Sequence, residues 1–398
     1  MSSYDVAIVG GCGHVGLPLG LAFASRGLQV ALYDLNEQAV AAVNGANMPF
    51  DEPGAPEVLA EVTANGRLVA SADPKVISAA EHVVIVIGTP IDEHLNPDLN
   101  AVPGAVADLA THLHDGQLLV LRSTVYPGVT ALVEKRVQRL GLDVDIAFCP
   151  ERIAEGKAMV ELFELPQIVA SRSERATERA SKLFGNLADE IVLLEPEEAE
   201  LAKLFTNTWR YIKFAAANQF YMMANERGLD YEVIREGLSR NYPRASDIPG
   251  AGFAAGPCLF KDTMQLAAFS DNKFALGHSA MLVNEGLPLY VVSQLEKRFD
   301  LSHMTVGILG MAFKGGSDDI RSSLSYKLRR VLKFKAKAVL CTDPHVTEDT
   351  DPTLLPLEDV IAKSDILIVA TPHAEYRGLV IDKPVADVWN LLGNGVVV

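Results

Sequence analysis

Residues Asp5–Asp34 read DVAIVGGCGHVGLPLGLAFASRGLQVALYD. An apolar run of strand length enters a glycine-rich turn, the turn opens a stretch with helical spacing, and a second apolar run ends in an acid. Strand, turn, helix and strand within about 30 residues make a βαβ unit. The turn, Gly11-Cys12-Gly13-His14-Val15-Gly16, is G-x-G-x-x-G in the setting that gives this pattern its meaning, after a strand and opening a helix. Gly11 permits the tight bend, Gly13 lets the backbone approach a pyrophosphate, and Gly16 lets helix and strand pack closely. The helix N-terminus adds N–H groups and partial positive charge for the phosphates. Asp34, 18 residues after Gly16, ends the second strand. A carboxylate there accepts from a ribose hydroxyl and repels a 2′-phosphate, so the expected cofactor is NAD rather than NADP. The cofactor-contact set is therefore Gly11, Gly13, His14, Val15, Gly16 and Asp34, although the chemistry of His14 and Cys12 earns them no more than a place in the turn.

Outward from this unit, apolar runs at Val83–Ile87, at Leu118–Leu121 and ending near Phe148 alternate with helix-like stretches, the pattern of a doubly wound parallel sheet. From Glu197 to Arg227, Ala, Leu, Phe, Trp and Met recur at three- and four-residue spacing. This predicts a helix near 45 Å long at about 1.5 Å per residue, long enough to bridge domains or dimerise. Asn241–Gly256 (NYPRASDIPGAGFAAG) reads as an irregular loop. After Ser302 the pattern returns: TVGILG at 305–310 answers DVAIVG at 5–10, and ILIVATP at 366–372 answers VIVIGTP at 84–90. The expected fold is α/β, two Rossmann-like doubly wound domains joined by a long central helix and a helical middle domain. The expected boundaries are 1–196, 197–300 and 301–398.

The whole chain agrees with a globular protein of two or three domains: 398 residues, 49% hydrophobic and 22% charged. A net charge of −16 repels nucleic acid and anionic membrane, so neither is an expected partner, and an anionic ligand needs a local site. Cys12, Cys149, Cys258 and Cys341 are too scattered for a disulfide scaffold. With no basic leader and no apolar run near the ~18 residues that span a bilayer, the expected setting is cytoplasmic. The nine histidines form no ligand spacing, His112 and His114 being two apart, so no metal is expected.

Two further places bear chemistry. Cys258 lies in Gly256-Pro257-Cys258-Leu259-Phe260-Lys261-Asp262, where a helix starting at the cysteine, with Lys261, would favour the thiolate. A small buried core cysteine is the plainer alternative. Lys203 and Asn207, four apart on the long helix, share a face. A solvated lysine on an amphipathic helix reads equally well from spacing alone.

Taken together and in order, GCGHVGLPLG (11–20), GTP (88–90), STVYPG (123–128), CPERIAEGKA (149–158), Lys203 with Asn207, GFAAGPCLFKD (252–262) and GMAFKGGSDDIR (310–321) resemble the UDP-glucose/GDP-mannose dehydrogenase family of nucleotide-sugar 6-dehydrogenases. The resemblance implies that Cys258 forms a thiohemiacetal and then a thioester with C6 of the sugar. It implies that Asp262 and Lys203 handle the proton and stabilise the oxyanion, that Asn207 fixes a water or the sugar, and that Thr124 and Glu151 organise water, Glu151 as base for thioester hydrolysis. Thr89, Thr124, Glu155, Lys261 and Arg321 are implied cofactor contacts. Glu151, Arg152, Glu155, Lys203, Asn207, Phe253, Gly256, Cys258 and Lys314 are implied substrate contacts. Arg244 is the implied arginine reaching a neighbouring subunit's sugar, with Arg240 behind it. Arg152 stands where many glucose-type members are aromatic, and VADVWN at 385–390 has no arginine where many members carry one.

Oxidising an alcohol to an acid removes four electrons, so two hydrides leave in succession and a covalent cysteine adduct retains the aldehyde between them. The expected substrate is a nucleotide sugar of the UDP-glucose or dTDP-glucose type, giving a uronic acid such as UDP-glucuronate for polysaccharide synthesis, in a homodimer built on the long helix. The alternative in the same family is a UDP-N-acetylhexosamine. A two-electron hydroxyacid dehydrogenase, which needs neither Cys258 nor the second α/β end, and a non-catalytic NAD-binding regulator are the readings outside it.

Overall fold

The computed structural model describes residues 3–89, 91–92, 97–395 and 398. They form two compact units, Met1–Thr206 and Asn207–Val398.

The first unit is built on an eight-stranded sheet: β1 (Tyr4–Val9), β2 (Val30–Tyr33), β3 (Leu68–Ser71), β4 (Ala80–Ile85), β5 (Leu118–Leu121), β6 (Asp145–Phe148), β7 (Gln167–Ala170) and β8 (Ile191–Leu194). Their order is β3-β2-β1-β4-β5-β6-β7-β8. Val6, Ala7 and Ile8 are buried on both faces, which explains why β1 reads as an unbroken apolar run rather than an alternation. The helix Gly16–Ser25 seals one face with Leu17, Leu19, Leu21 and Phe23, each buried leucine contributing about 2 kcal/mol. All pairings are parallel except β6–β7, which meet antiparallel at Phe148 and Ala170. β2 and β4 leave β1 on opposite sides, so the crevice at the carboxyl end of β1 is the switch point where such sheets bind ligands.

The second unit contains β9 (Thr305–Leu309), β10 (Ala338–Thr342), β11 (Ile366–Val369) and β12 (Val385–Asp387), all parallel in the order β10-β9-β11-β12. Its switch point, at the end of β9, opens into the turn 310–316.

The long helix runs Pro196–Asn225, with Glu197 and Glu198 in its first turn where the helix dipole favours acids. It ends where Gly228, at φ +68°, turns the chain back onto the Asn225 carbonyl. Leu204, Asn207, Tyr211, Ala215, Asn218 and Tyr221 make its buried stripe. Ala217 and Tyr221 of the long helix and Leu287 and Val291 of the helix Ala275–Glu296 share one apolar core with Val306 and Ile308 of β9. No described helix is long and apolar enough to cross a membrane.

Candidate active site

In the first unit the glycine-rich turn explains two of its three glycines by itself. A Cβ on Gly11 would lie 2.7 Å from Leu32 Cβ and 2.8 Å from the Ile8 carbonyl, and one on Gly16 would lie 2.3 Å from the Gly10 carbonyl. On Gly13 the nearest atom would be the Gly10 carbonyl at 3.8 Å. The protein leaves room for a side chain at Gly13, so the turn there is open, as a diphosphate cradle would be. Asp34 accepts from the Cys12 N–H (3.0 Å) through one oxygen and from the Asn36 N–H (3.0 Å) through the other. Two of its four acceptor positions are used in fixing the turn, and the others remain for hydroxyls. Val15 caps the helix Gly16–Ser25. His14 stacks on Phe50 with ring centroids 4.0 Å apart and has Nδ1 3.9 Å from Glu155 Oε1, which joins the turn to the CPERIAEGKA loop.

These clearances predict opposite outcomes for two similar changes. Gly13→Ala keeps thermal stability within about 0.5 kcal/mol and weakens NAD binding at least about tenfold. Gly16→Ala is destabilised by about 1–3 kcal/mol, because the Cβ meets backbone that cannot rotate away. Scanning calorimetry beside NAD titration checks both; equal loss of stability would remove the argument for a cradle.

The CPERIAEGKA loop hangs on buried acids. Arg122, fully buried, donates through Nε (2.8 Å) and Nη2 to Glu151 Oε2, through Nη1 to the Cys149 carbonyl (3.1 Å) and through Nη2 to Gln167 (3.2 Å), and lies 4.8 Å over the Phe184 ring. Glu151 Oε1 accepts the N–H groups of Arg152 (2.7 Å) and Ile153 (3.0 Å). Both oxygens of Glu151 are thus committed to protein donors, whereas a hydrolytic base must turn a lone pair to water. In this structure Glu151 has the geometry of a loop anchor; the base role the resemblance implies would need one of these bonds to be given up. Arg152 points its guanidinium at the Pro166 carbonyl, and burial lowers its pKa. Glu52, also buried, accepts from Gly156 N–H and Ala158 N–H, both 2.8 Å, holding the end of the loop where the helix Ala158–Glu164 starts.

The STVYPG turn is tied to the long helix in the same manner. Glu200 accepts from Gly128 N–H (2.6 Å), Thr130 N–H (2.8 Å) and the Thr130 hydroxyl (2.6 Å), one turn before Lys203. Burial raises its carboxyl pKa even against those donors. Thr89 donates its hydroxyl to the Thr124 carbonyl at 2.6 Å, joining the GTP segment to the same turn; Pro90 lies outside the described residues.

Of the four cysteines, three are buried and one is exposed. Burial pushes the Cys341 thiol up to about 11, and in the first unit it pushes those of Cys12 and Cys149 to about 12. Cys258 alone is exposed. It is the N-cap of the helix Leu259–Phe269, where a thiolate is favoured by the helix dipole. Its carbonyl accepts the Asp262 N–H (2.9 Å), which places Asp262 one turn on. The Asp262 carboxylate is fully buried, with Asn207 Nδ2 donating to Oδ2 at 2.5 Å and Lys261 Nζ 2.7 Å from Oδ1. The structure therefore brings Cys258, Asp262, Asn207 and Lys261 together. Lys203, 8% exposed, sits one turn before Asn207 on the same helix face.

The cysteine loop is shaped by aromatic rings on bare glycines. A Cβ on Gly252 would lie 2.2 Å from the Trp389 ring, and one on Gly256 would lie 2.5 Å from Phe313. Phe253 is buried beside them. Asn218 fixes the loop by accepting the Gly252 N–H (2.9 Å) and donating to the Gly252 carbonyl (3.0 Å). Phe313 carries Lys314, whose Nζ lies 5.8 Å from the ring centroid. Arg321 is clamped by Asp319, Nε lying 2.8 Å from Oδ2. Arg244 lies in the exposed loop beside the Tyr242 ring. A cavity of about 570 Å3 opens beside Gly256 and Phe260, and Ser322, Lys327 and Arg330 line it. Among the described residues the one gathered set of candidate metal ligands is His345, His373 and Glu375, and both ring nitrogens of His373 already have partners.

Sequence reasoning passed over Arg122, Glu52, Glu200, Asn218 and Trp389. Their partners are distant in the chain, and only the oddity of a charge inside an apolar stretch marks Arg122.

A doubly wound sheet with an open glycine turn at its switch point is the frame of a nicotinamide-dependent oxidoreductase, and the second unit adds an exposed cysteine at a helix start beside a buried Asp–Asn pair. Comparison with known proteins gives the family. The descriptions matched are those of the UDP-glucose/GDP-mannose dehydrogenase NAD binding domain at residues 4–188, its central domain at 197–286 and its UDP binding domain at 307–394. The chain is 30% identical over 382 residues to a UDP-N-acetyl-D-mannosamine dehydrogenase of Pyrococcus horikoshii, covering 93% of this chain and 90% of that one. The solved UDP-D-ManNAc dehydrogenase of P. horikoshii superposes with a TM-score of 0.89 at 29% identity, covering 98% of this chain and 97% of that one. A UDP-glucose dehydrogenase of Pyrobaculum islandicum gives 0.90 at 28%, covering 96% and 94%. This chain belongs to the UDP-glucose/GDP-mannose dehydrogenase family and is an NAD-dependent nucleotide-sugar dehydrogenase.

Proposed function

We propose that the chain oxidises the C6 alcohol of a UDP-N-acetylhexosamine, of the N-acetylmannosamine type, to the carboxylate. The expectation of a glucose-type sugar gives way to its alternative because the relatives at 28–30% identity, spanning more than nine-tenths of this chain, carry the name UDP-N-acetyl-D-mannosamine dehydrogenase. The fold likeness to the P. islandicum enzyme keeps UDP-glucose as the second reading.

The observation that carries the chemistry is Cys258, exposed at a helix N-terminus with Asp262 and Asn207 one turn behind it. NAD, held at Gly11–Gly16 and Asp34, supplies the hydride acceptor in each of two oxidations. The first takes the alcohol to the aldehyde, and its hydroxyl proton passes to the Lys203–Asp262 pair, by way of water held by Asn207. The Cys258 thiolate then adds to the aldehyde carbon, and Lys203, as a cation, stabilises the oxyanion. Loss of the second hydride converts the thiohemiacetal to a thioester. Water organised near Thr124 cleaves the thioester, releasing the acid and restoring the thiol. Lys314 contacts the substrate, and Arg244 contributes from a second copy. That homodimer would form on the exposed stripe Phe205, Trp209, Phe220 and Met223 of the long helix.

The test is NADH formed per sugar, read by absorbance with product mass, across UDP-N-acetylmannosamine, UDP-N-acetylglucosamine, UDP-glucose, dTDP-glucose and GDP-mannose. Two NADH and a carboxylate with an N-acetylhexosamine is the expected result. Preference for UDP-glucose overturns the sugar, and one NADH with an aldehyde product overturns the role of Cys258.

A further inference from the structure

The turn 311–316 (MAFKGG), which carries Phe313 and Lys314, is gripped at both ends by two buried side chains from other strands. Asp343, just past β10, accepts at Oδ2 from Met311 N–H (2.6 Å) and Ala312 N–H (2.9 Å). His373, just past β11 and fully buried, accepts at Nδ1 from Gly316 N–H (3.2 Å). Because Nδ1 is an acceptor there, the ring proton is on Nε2, which donates to Asp343 Oδ2 at 3.0 Å. The other oxygen of Asp343 accepts from His345 N–H (2.8 Å) and Val346 N–H (3.0 Å), so the carboxylate has no freedom to swing. Against the opposing effect of burial, the bond from His373 and those backbone donors hold its carboxyl down at about 2.

Packing transmits this grip. The Thr371 hydroxyl donates to the Ala312 carbonyl at 2.6 Å, and a Cβ on Gly315 would lie 2.3 Å from the Pro372 carbonyl, so the turn lies directly on 371–373. Phe313 in turn covers Gly256, two residues before Cys258. The side chains of Asp343 and His373 are wholly buried, whereas Lys314 is partly exposed.

We propose that the Asp343–His373 pair is a positioning device that fixes the 311–316 turn so that Lys314 meets the nucleotide sugar and Phe313 seats the Cys258 loop. The inference rests on the reading of Lys314 as a substrate contact. It assigns His373 no contact with substrate.

Two replacements separate the two bonds of the ring. His373→Asn puts a carbonyl oxygen where Nδ1 stood and gives up the bond to Asp343, whereas His373→Gln keeps a donor where Nε2 stood and leaves Gly316 without its acceptor. Both are measured in the full chain with Lys314→Ala and the double variant Lys314→Ala/His373→Gln. The readouts are thermal melting, UDP affinity by calorimetry, and KM against kcat for the sugar accepted in the substrate panel. The expected result is UDP binding weakened about tenfold in each His373 variant, with kcat at saturation within about twofold and the loss expressed in KM. The double variant should bind UDP no more weakly than Lys314→Ala, since the histidine acts through the lysine. Unchanged UDP affinity in both His373 variants while Lys314→Ala binds weakly overturns the positioning role alone, as does a double variant whose losses add. Unchanged affinity in Lys314→Ala overturns the reading beneath it. His373→Asn, which keeps the acceptor for Gly316, answers the question if His373→Gln fails to fold.

Discussion

Cys258→Ser should form no carboxylate. The thiol is the one exposed cysteine among four, at a helix N-terminus that lowers the cost of the thiolate, and serine replaces a strong nucleophile by a hydroxyl that stays protonated. Any ester formed through oxygen is also a poorer acyl donor to water than a thioester. The rate of acid formation should fall by on the order of 10^4 or more, as for loss of a catalytic nucleophile. Binding of NAD and of UDP should change less than about threefold, because the replacement is nearly isosteric at an exposed position. Stopped-flow absorbance and product mass decide it. Two NADH per sugar at an undiminished rate would return Cys258 to the status of a surface thiol, and the four-electron reading would lose its centre.

The second large effect concerns stability. Arg122→Met should destabilise the first unit by about 3–5 kcal/mol, because it leaves Glu151 as a buried charge with its strongest partner gone and strips the Cys149 carbonyl of a donor. For a unit of this size that lowers the melting temperature by roughly 10 °C. Adding Glu151→Gln should recover most of the loss: the amide oxygen still accepts from Arg152 and Ile153 N–H, and no charge remains to be paired. The same double variant tests what Glu151 does in catalysis. As a loop anchor, its replacement with restored packing leaves turnover within about tenfold. A burst of two NADH per active site followed by arrest would mean instead that the thioester forms and waits for a base, and the role implied by family resemblance would stand.

The contrast between these residues shows what a sequence displays. The glycine turn is legible because its demands are local: a bend, an approach and a close packing each need glycine within six residues. The long helix is legible because its buried stripe repeats every three or four residues from Leu204 to Tyr221. Cys258 is legible as a helix start, since the chain leaves an irregular Gly- and Pro-rich stretch there and enters an apolar one. What escapes is long-range pairing. Arg122 and Glu151 are 29 residues apart, and nothing near either announces the other. The strand β7 reads like its parallel neighbours, because pairing direction leaves no mark on side-chain pattern. Tyr221 and Ile308 belong to one apolar core although 87 residues separate them, and apolar periodicity says only that a face is covered, never by what. In the sequence His373 is one more scattered histidine; its partners Gly316 and Asp343 lie 57 and 30 residues away.

The chain has only two tryptophans, and they differ sharply in surroundings. Trp209 is 57% exposed on the long helix, while Trp389 lies flat on Gly252 with its indole N–H bound to the Ala370 carbonyl at 3.0 Å. The molecule therefore carries its own optical reporter. Trp389, half-buried against the loop that leads to Cys258, should emit from a fixed environment, whereas the emission of Trp209 should report whether the proposed homodimer covers the long helix. With Trp209 replaced by phenylalanine, ultraviolet emission from a single ring would follow movement of the cysteine loop in real time, with no turnover and no label.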